Sequence, residues 1–428
     1  LGIFRKNRRI QKNFVMKKIV IVGGGTAGWL TALYAQRFWK MDDITLIESS
    51  KIGILGAGEG STPNFPGIIA DLGIDENDFI IKTDTVLKKG IDFINWSPDK
   101  SSEFLHDFGQ LNSNKVYGYH FNAKLVAEYF KNIALERGIN WIDSVITGFD
   151  KDSDGNIKNI KLETGDIIPT DFVFDCSGFA RLVIGNEYKS EWISYADQLI
   201  TNSAIAFFQP MNDTFDLREQ ANTKCIAMNA GWMWRIPTRG RYGNGYAFSD
   251  KYISVDDAKA EVEAYLGRPI EIVKTFKYDA GHFKQSWVKN CIGIGLSGGF
   301  LEPLEATSVM TLIMSLQFIN KLGDSRFENQ HHIESYNEYM EDINKQNMLF
   351  VRYHYHCYRN DTPFWKELYD MKLPDGLAKL LENDKVLHIQ SGDDIMNTIG
   401  CKELPVFSMY SYRCIWRGHN QKIKKSLI

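Results

Sequence analysis

A chain of 428 residues, 44% of them hydrophobic, has enough material for a large buried core, which excludes a small scaffold held by disulfides or metal. A formal net charge of -3 excludes the global basic footprint of a nucleic-acid binder and leaves small-molecule chemistry as the expectation. The six cysteines (Cys176, Cys225, Cys291, Cys357, Cys401, Cys414) form no CxxC pair and no apolar run nears the ~20 residues that cross a bilayer, so a cytoplasmic protein without a membrane partner is expected.

Residues 1–15 are basic, lack the apolar stretch of a signal peptide and read as a leader before the folded chain. From Lys17 to Val22, "KKIVIV" is a continuous β-branched run, the pattern of a parallel strand buried on both faces. "VGGGTAGW" follows and fits GxGxxG through Gly23, Gly25 and Gly28. A helical pattern, "WLTALYAQRFWK", and a second strand, "DITLIES", complete a βαβ unit ending in Glu48. In this spacing Gly23 permits the tight turn, Gly25 lets backbone approach a pyrophosphate and Gly28 allows close helix–sheet packing. The helix N-terminus then faces phosphates, and Glu48 can accept from a ribose hydroxyl.

Further along, "AKLVAEYFKNIALERG" (Ala123 to Gly138) predicts a helix stopped by glycine, and closely spaced turn residues after it predict a β-meander leading back to the main sheet. "FVFDCSG" and "IGIGLSGGFLEP" are strand-then-glycine stretches similar to those that return to the cofactor in glutathione-reductase-type flavoproteins. That similarity favours FAD over NAD and implies an α/β fold of this FAD-binding type. Residues 16–323 are read as an FAD-binding module with an interleaved substrate-binding β-sheet, and residues 324–428 as a mostly helical part packing on the substrate site.

Several stretches together resemble the flavin-dependent tryptophan halogenases: "IVIVGGGTAGW", "GAGEGSTPN", "LKKGIDFINW", "HDFG", "FDCSG", "GWMWRIP", "GLSGGFLEPLEATS" and "NDTPFW". Trp232 to Pro237 matches the family's WxWxIP signature, although periodicity alone would make Trp232 and Trp234 packing residues of a strand. The resemblance implies that reduced FAD, O2 and a halide yield hypohalous acid, which travels through an internal passage to a lysine beside an aromatic substrate. "LKKGIDFINW" places that lysine at Lys88, and "LEPLEATS" places the active-site glutamate at Glu305, with Glu302 assigned a structural part. An exposed lysine is almost wholly ammonium at neutral pH, so formation of a haloamine would require burial to depress its pKa; hydrogen bonding to hypohalous acid would not. Sequence leaves both open.

The resemblance also implies cofactor contacts at Thr26, Ala27, Ser49, Glu59, Val145, Leu296 and Val309, and a halide at Thr307 and Ser308, where the family usually has glycine at the second position. His106, Phe108, Trp232, Trp234 and Phe407 align with substrate positions. Only "QLNSNKVYGYH" separates "HDFG" from the next helix, where tryptophan halogenases carry a long insertion. The expected substrate is therefore another indole, a phenol or a small heteroaromatic rather than free tryptophan alone. No nicotinamide site is evident, so a separate flavin reductase is expected to supply reduced FAD by diffusion; homo-oligomerisation stays open. The outline is similar to compact viral-type members of the family.

Two metal-like patterns read otherwise. "DKDSDG" (Asp150 to Gly155) opens like an EF-hand loop but has Lys161 where the bidentate glutamate belongs, so a hairpin turn is expected. "HYHC" (His354 to Cys357) and the pair His331-His332, placed in a polar connector, are assigned no metal. Two rival functions remain at this stage: an aromatic hydroxylase using the same reduced flavin, and an FAD-binding protein whose halide site has decayed.

Overall fold

The computed structural model describes residues 17–53, 59–100, 102–109, 116–210 and 222–420. The leader assigned to residues 1–15 lies outside them, as does the side chain of Glu59. Ile19–Val22 forms the centre of a six-stranded sheet, and all four of its side chains are buried. It pairs in parallel with Ile44–Glu48 on one side and Phe172–Asp175 on the other, in the register Ile19↔Ile44 and Ile19↔Phe172. Cys291–Gly293 extends the sheet in parallel beyond Phe172–Asp175, and Asn140–Asp143 extends it beyond Ile44–Glu48. The first strand-then-glycine stretch thus pairs directly with the strand that precedes the glycine loop, and the second joins the same sheet one strand further out. A strand covered on both faces has no polar side, which is why this run reads as unbroken rather than alternating.

The meander is present as Ile146–Lys151, Ile157–Leu162 and Ile167–Pro169, an antiparallel three-stranded sheet. Its first hairpin carries the EF-hand-like residues as a turn: Asp152 Oδ1 accepts from the backbone N–H groups of Asp154 and Asn156 at 3.0 and 2.9 Å. The Ala123–Glu136 helix begins at Asn122, whose side chain accepts from Lys124 N–H, and its chain exit at Gly138 has φ 81°. Among the described residues no helix is long and apolar enough to cross a membrane.

A second, seven-stranded sheet runs in the order Ile272–Lys277, Ser203–Pro210, Arg241–Phe248, Gly231–Pro237, Asn222–Ala227, Gly90–Ile94, Glu103–Asp107. Along Gly231–Pro237, Trp232, Trp234 and Ile236 enter one apolar core while Met233 enters another, the two-residue period of a strand. The core holding the tryptophans is completed by Phe350, Tyr353 and Trp365 on C-terminal helices and by Phe407 in the loop before the last one. The Thr307–Lys321 helix ties the halves together: Leu312, Ile313, Leu316 and Ile319 join the nucleotide-sheet core and Met310 joins the aromatic core. Each such fully buried aliphatic side chain contributes about 1.5–3 kcal/mol. The residues between the two glutamates of "LEPLEATS" and this helix are therefore pinned from both sides.

Candidate active site

The dinucleotide end is shaped by glycines. Gly23 has φ 110°, in the left-handed region, and a Cβ there would lie 2.3 Å from the Cys176 carbonyl oxygen. At Gly28 a Cβ would lie 1.8 Å from the Gly23 carbonyl oxygen, so helix and strand approach to backbone contact. Gly25 differs: a Cβ there would meet nothing within 4 Å, φ is -75°, and it caps the Thr26–Trp39 helix without a side-chain hydrogen bond. That open, donor-rich helix start is what a pyrophosphate requires. Gly295, at φ 65°, would place a Cβ 3.2 Å from the Ala27 Cβ, so Leu296 and its neighbours sit over the glycine loop. Ser49 has a buried hydroxyl oxygen without a partner, and Glu48 Oε1 accepts from Lys131 Nζ and Trp141 Nε1, each at 2.9 Å. An orphaned hydroxyl, an open glycine and an anchored acid at the C-terminal ends of two neighbouring inner strands fit FAD. Val145 accepts from Glu163 N–H just past the last parallel strand, and Val309 packs on the nucleotide-sheet core.

A methyl group at Gly25 meets no protein atom but enters this space. Gly25→Ala is expected to leave thermal stability unchanged while weakening FAD binding at least ~10-fold, about 1.4 kcal/mol, in a fluorescence titration. A lowered melting temperature with unchanged FAD affinity would contradict this reading.

At the other end, Lys88 closes the Val86–Lys88 strand and is only 2% exposed. The strand pairs with Gly118–Phe121, which also pairs with Glu59–Gly60, so Lys88 lies over glycines. A Cβ on Gly60 would come within 3.1 Å of Lys88 Nζ. Burial pushes the Lys88 amine down to about 8, against the opposing pull of Glu305. Its Nζ lies 5.1 Å from the ring centroid of half-buried Phe108, a cation–π contact. Glu305 is 3% exposed, and its Oε1 lies 2.8 Å from His106 Nδ1 and 3.0 Å from His354 Nε2. Burial pushes its carboxyl up, but these two imidazoles more than reverse that and hold it well below the usual carboxylate range. The Glu305 carboxylate thus acts on the Lys88 amine, and buried Cys225 feels both.

Glu305 reaches this position through strain: Glu305 has φ 62° and Ala306 φ 56°, two consecutive left-handed non-glycine residues just before the Thr307–Lys321 helix. Three residues earlier Glu302, fully buried, turns to another set of partners. It accepts from Thr201 Oγ1 at 2.6 Å, Trp232 Nε1 at 3.0 Å and the Tyr355 hydroxyl at 2.8 Å. Burial raises its carboxyl to about 7 while those donors pull it back. Glu302 therefore knits the WxWxIP strand to the C-terminal helices. Trp232 and Trp234 are packed core residues, with ring centroids 5.9 Å apart. The strand bearing them pairs Trp234 with Cys225.

Thr307 begins the helix with a buried hydroxyl oxygen lacking a partner, and the helix has no side-chain cap. Thr307 and half-buried Ser308 line a cavity of about 10 Å³ together with Gly295, Gly299, Phe300 and Leu301. That volume is on the scale of one water. Phe407 stacks on Phe350 with ring centroids 3.8 Å apart, and Phe350 lies 4.8 Å from the His354 ring.

Sequence reasoning missed His354. As part of "HYHC" it looked like a spurious metal ligand, yet it ends the Gln330–His354 helix and meets Glu305, 49 residues away in sequence. No local pattern announces that contact. The placement of His331 and His332 in a connector is corrected: Asn329 caps the helix through His331 N–H, so both lie in its first turn. Among the described residues no cluster of potential metal ligands occurs.

Known proteins resemble this chain over most of its length. The tryptophan halogenase family model matches residues 18–116 and 110–425. Tryptophan 7-halogenase RebH of Lentzea aerocolonigenes is 29% identical over 430 residues, covering 85% of this chain and 81% of RebH. Tryptophan 6-halogenase ThaL of Streptomyces albogriseolus is 28% identical over 433 residues, covering 86% of this chain and 81% of ThaL. The solved structure of BrvH, a flavin-dependent halogenase from Brevundimonas sp. BAL3, superposes with a TM-score of 0.83 at 26% identity, over 95% of this chain and 90% of BrvH. These similarities favour halogenation over the aromatic hydroxylation weighed above. Because the family match spans nearly the whole sequence, the chain belongs to the tryptophan halogenase family and is a flavin-dependent halogenase that uses FAD and a halide.

Proposed function

We propose that Lys88 and Glu305 carry electrophilic halogenation of an aromatic substrate broader than free tryptophan: another indole, a phenol or a small heteroaromatic. The observation that carries this is the burial of both groups, at 2% and 3% exposure, with the Glu305 carboxylate near enough to oppose the effect of burial on the Lys88 amine. Bound and reduced, FAD supplies with O2 the oxidising equivalents that turn halide into hypohalous acid. Thr307 and Ser308 hold the halide by helix N–H groups and the unpartnered Thr307 hydroxyl. Ser308 keeps the backbone donor that glycine would offer. Lys88, mostly ammonium at neutral pH with an amine pKa of about 8, donates to the oxygen of hypohalous acid. The O–X bond breaks as the C–X bond forms, the departing hydroxide takes a proton from the Lys88 ammonium and leaves as water, and Glu305 accepts the ring proton, which later restores the ammonium. Half-buried Phe108 offers an aromatic face beside Lys88, while Phe407 is engaged with Phe350.

The short connection after "HDFG" supports the wider substrate class, because it removes chain that would hold an amino acid's ammonium and carboxylate. Residues 110–115 of that connection lie outside the described residues. Reduced FAD comes by diffusion from a separate flavin reductase, and residues 16–323 and 324–428 divide the labour between cofactor and substrate cover. The test is turnover of an indole, phenol and heteroarene panel plus tryptophan with bromide, a flavin reductase and NADH, read by mass spectrometry. A bromine isotope doublet on ring compounds other than tryptophan is expected. Gain of a single oxygen, or bromination of tryptophan alone, would overturn the proposal.

A further inference from the structure

His354 has an unusual pair of neighbours. Its Nδ1 lies 2.7 Å from the Phe350 carbonyl oxygen and its Nε2 lies 3.0 Å from Glu305 Oε1. A carbonyl oxygen only accepts, so Nδ1 must carry a hydrogen. A neutral ring would then present a bare Nε2 lone pair to the oxygen of Glu305, two acceptors face to face. A proton therefore lies between them. His106 Nδ1 also lies 2.8 Å from Glu305 Oε1, so one carboxylate oxygen meets two imidazole nitrogens. His354 has no solvent exposure, and the rings of Phe93 and Phe350 flank it at 5.0 and 4.8 Å. Turning the ring over would replace both nitrogen contacts with C–H groups and forfeit two buried hydrogen bonds. Among the described residues Lys88, Cys225 and His419 also interact electrostatically with this pair.

We propose that His354 is a positioning residue for halogenation: protonated on both ring nitrogens, it bridges the Phe350 carbonyl and Glu305 Oε1, keeps the carboxylate ionised and leaves Oε2 for the ring proton. The consequence for catalysis rests on Glu305 being the proton acceptor; the pairing itself does not. An isolated carboxylate in such an apolar setting would otherwise take up a proton and lose its basicity. When Glu305 accepts the ring proton, the new O–H forms on the side away from His354, and the imidazole donor stays in place.

Two readouts separate these ideas. Long-range 1H–15N spectra of FAD-loaded protein labelled with 15N-histidine should contain one ring with both nitrogens protonated, absent from His354→Gln. In Glu305→Gln that ring should lose the proton on one nitrogen. A His354 ring with a bare nitrogen in the wild type, or one unchanged by Glu305→Gln, would overturn the proposal whatever the activity. In turnover assays His354→Leu, which offers no donor, should lower kcat ~100-fold with KM within twofold. His354→Gln, which keeps one N–H, should recover at least ~10-fold of that loss. Wild-type kcat in His354→Leu would sink the positioning role, and full activity in Glu305→Gln would instead remove the acceptor reading while leaving the spectra to stand.

Discussion

Lys88→Met should retain FAD affinity within about twofold and lose halogenation by at least ~10³ in kcat, near the upper end of what one positioned donor contributes. Methionine keeps the apolar stem that lies over Gly60 and removes only the nitrogen, so the sheet carrying it has no reason to move. FAD titration by fluorescence and product formation by mass spectrometry read the two effects separately. The pH dependence follows from an amine whose pKa is about 8. If the ammonium donates, single-turnover halogenation is highest below that pH and falls as pH rises through it; if the amine attacks, the rate rises through it. The donor reading predicts the falling limb. A Lys88→Met enzyme of normal rate would remove this lysine from the chemistry altogether.

Glu305→Gln should cost roughly 10²–10⁴ in kcat with little change in KM, the range assigned to positioned proton transfer. The amide oxygen still accepts from His106, so the side chain stays in place, but it is a far poorer base than a carboxylate held ionised by two imidazoles. Presteady-state bromination of a preferred ring substrate, with FAD content checked in parallel, is the measurement. A loss below about threefold would return Glu305 to a purely structural part, alongside Glu302.

Much of the nucleotide half was legible from local pattern, because its strands are buried on both faces and its turn needs glycine for steric reasons visible in the spacing. The cradle has one feature beyond GxGxxG: a Cβ at Gly24 would fall 1.6 Å from Glu48 Oε2, so the middle glycine makes room for the acid. The catalytic half was legible mainly through family resemblance. Lys88 sits in a Lys-Lys pair that local reading makes solvated, and only the three short strands around it bury it. Likewise, nothing within a dozen residues of His354 indicates a carboxylate partner. Glu302 and Glu305 look alike in sequence, and the backbone between them decides which becomes a structural hub and which faces the chemistry.

That backbone has an evolutionary corollary. Two successive non-glycine residues in left-handed geometry cost about 1–3 kcal/mol each, and glycine at position 306 would relieve part of it. The same relief would let the carboxylate wander from its two histidines. Selection for heat tolerance and selection for turnover therefore pull in opposite directions on a single peptide unit, and variants bred only for robustness would be expected to drift toward slower halogenation.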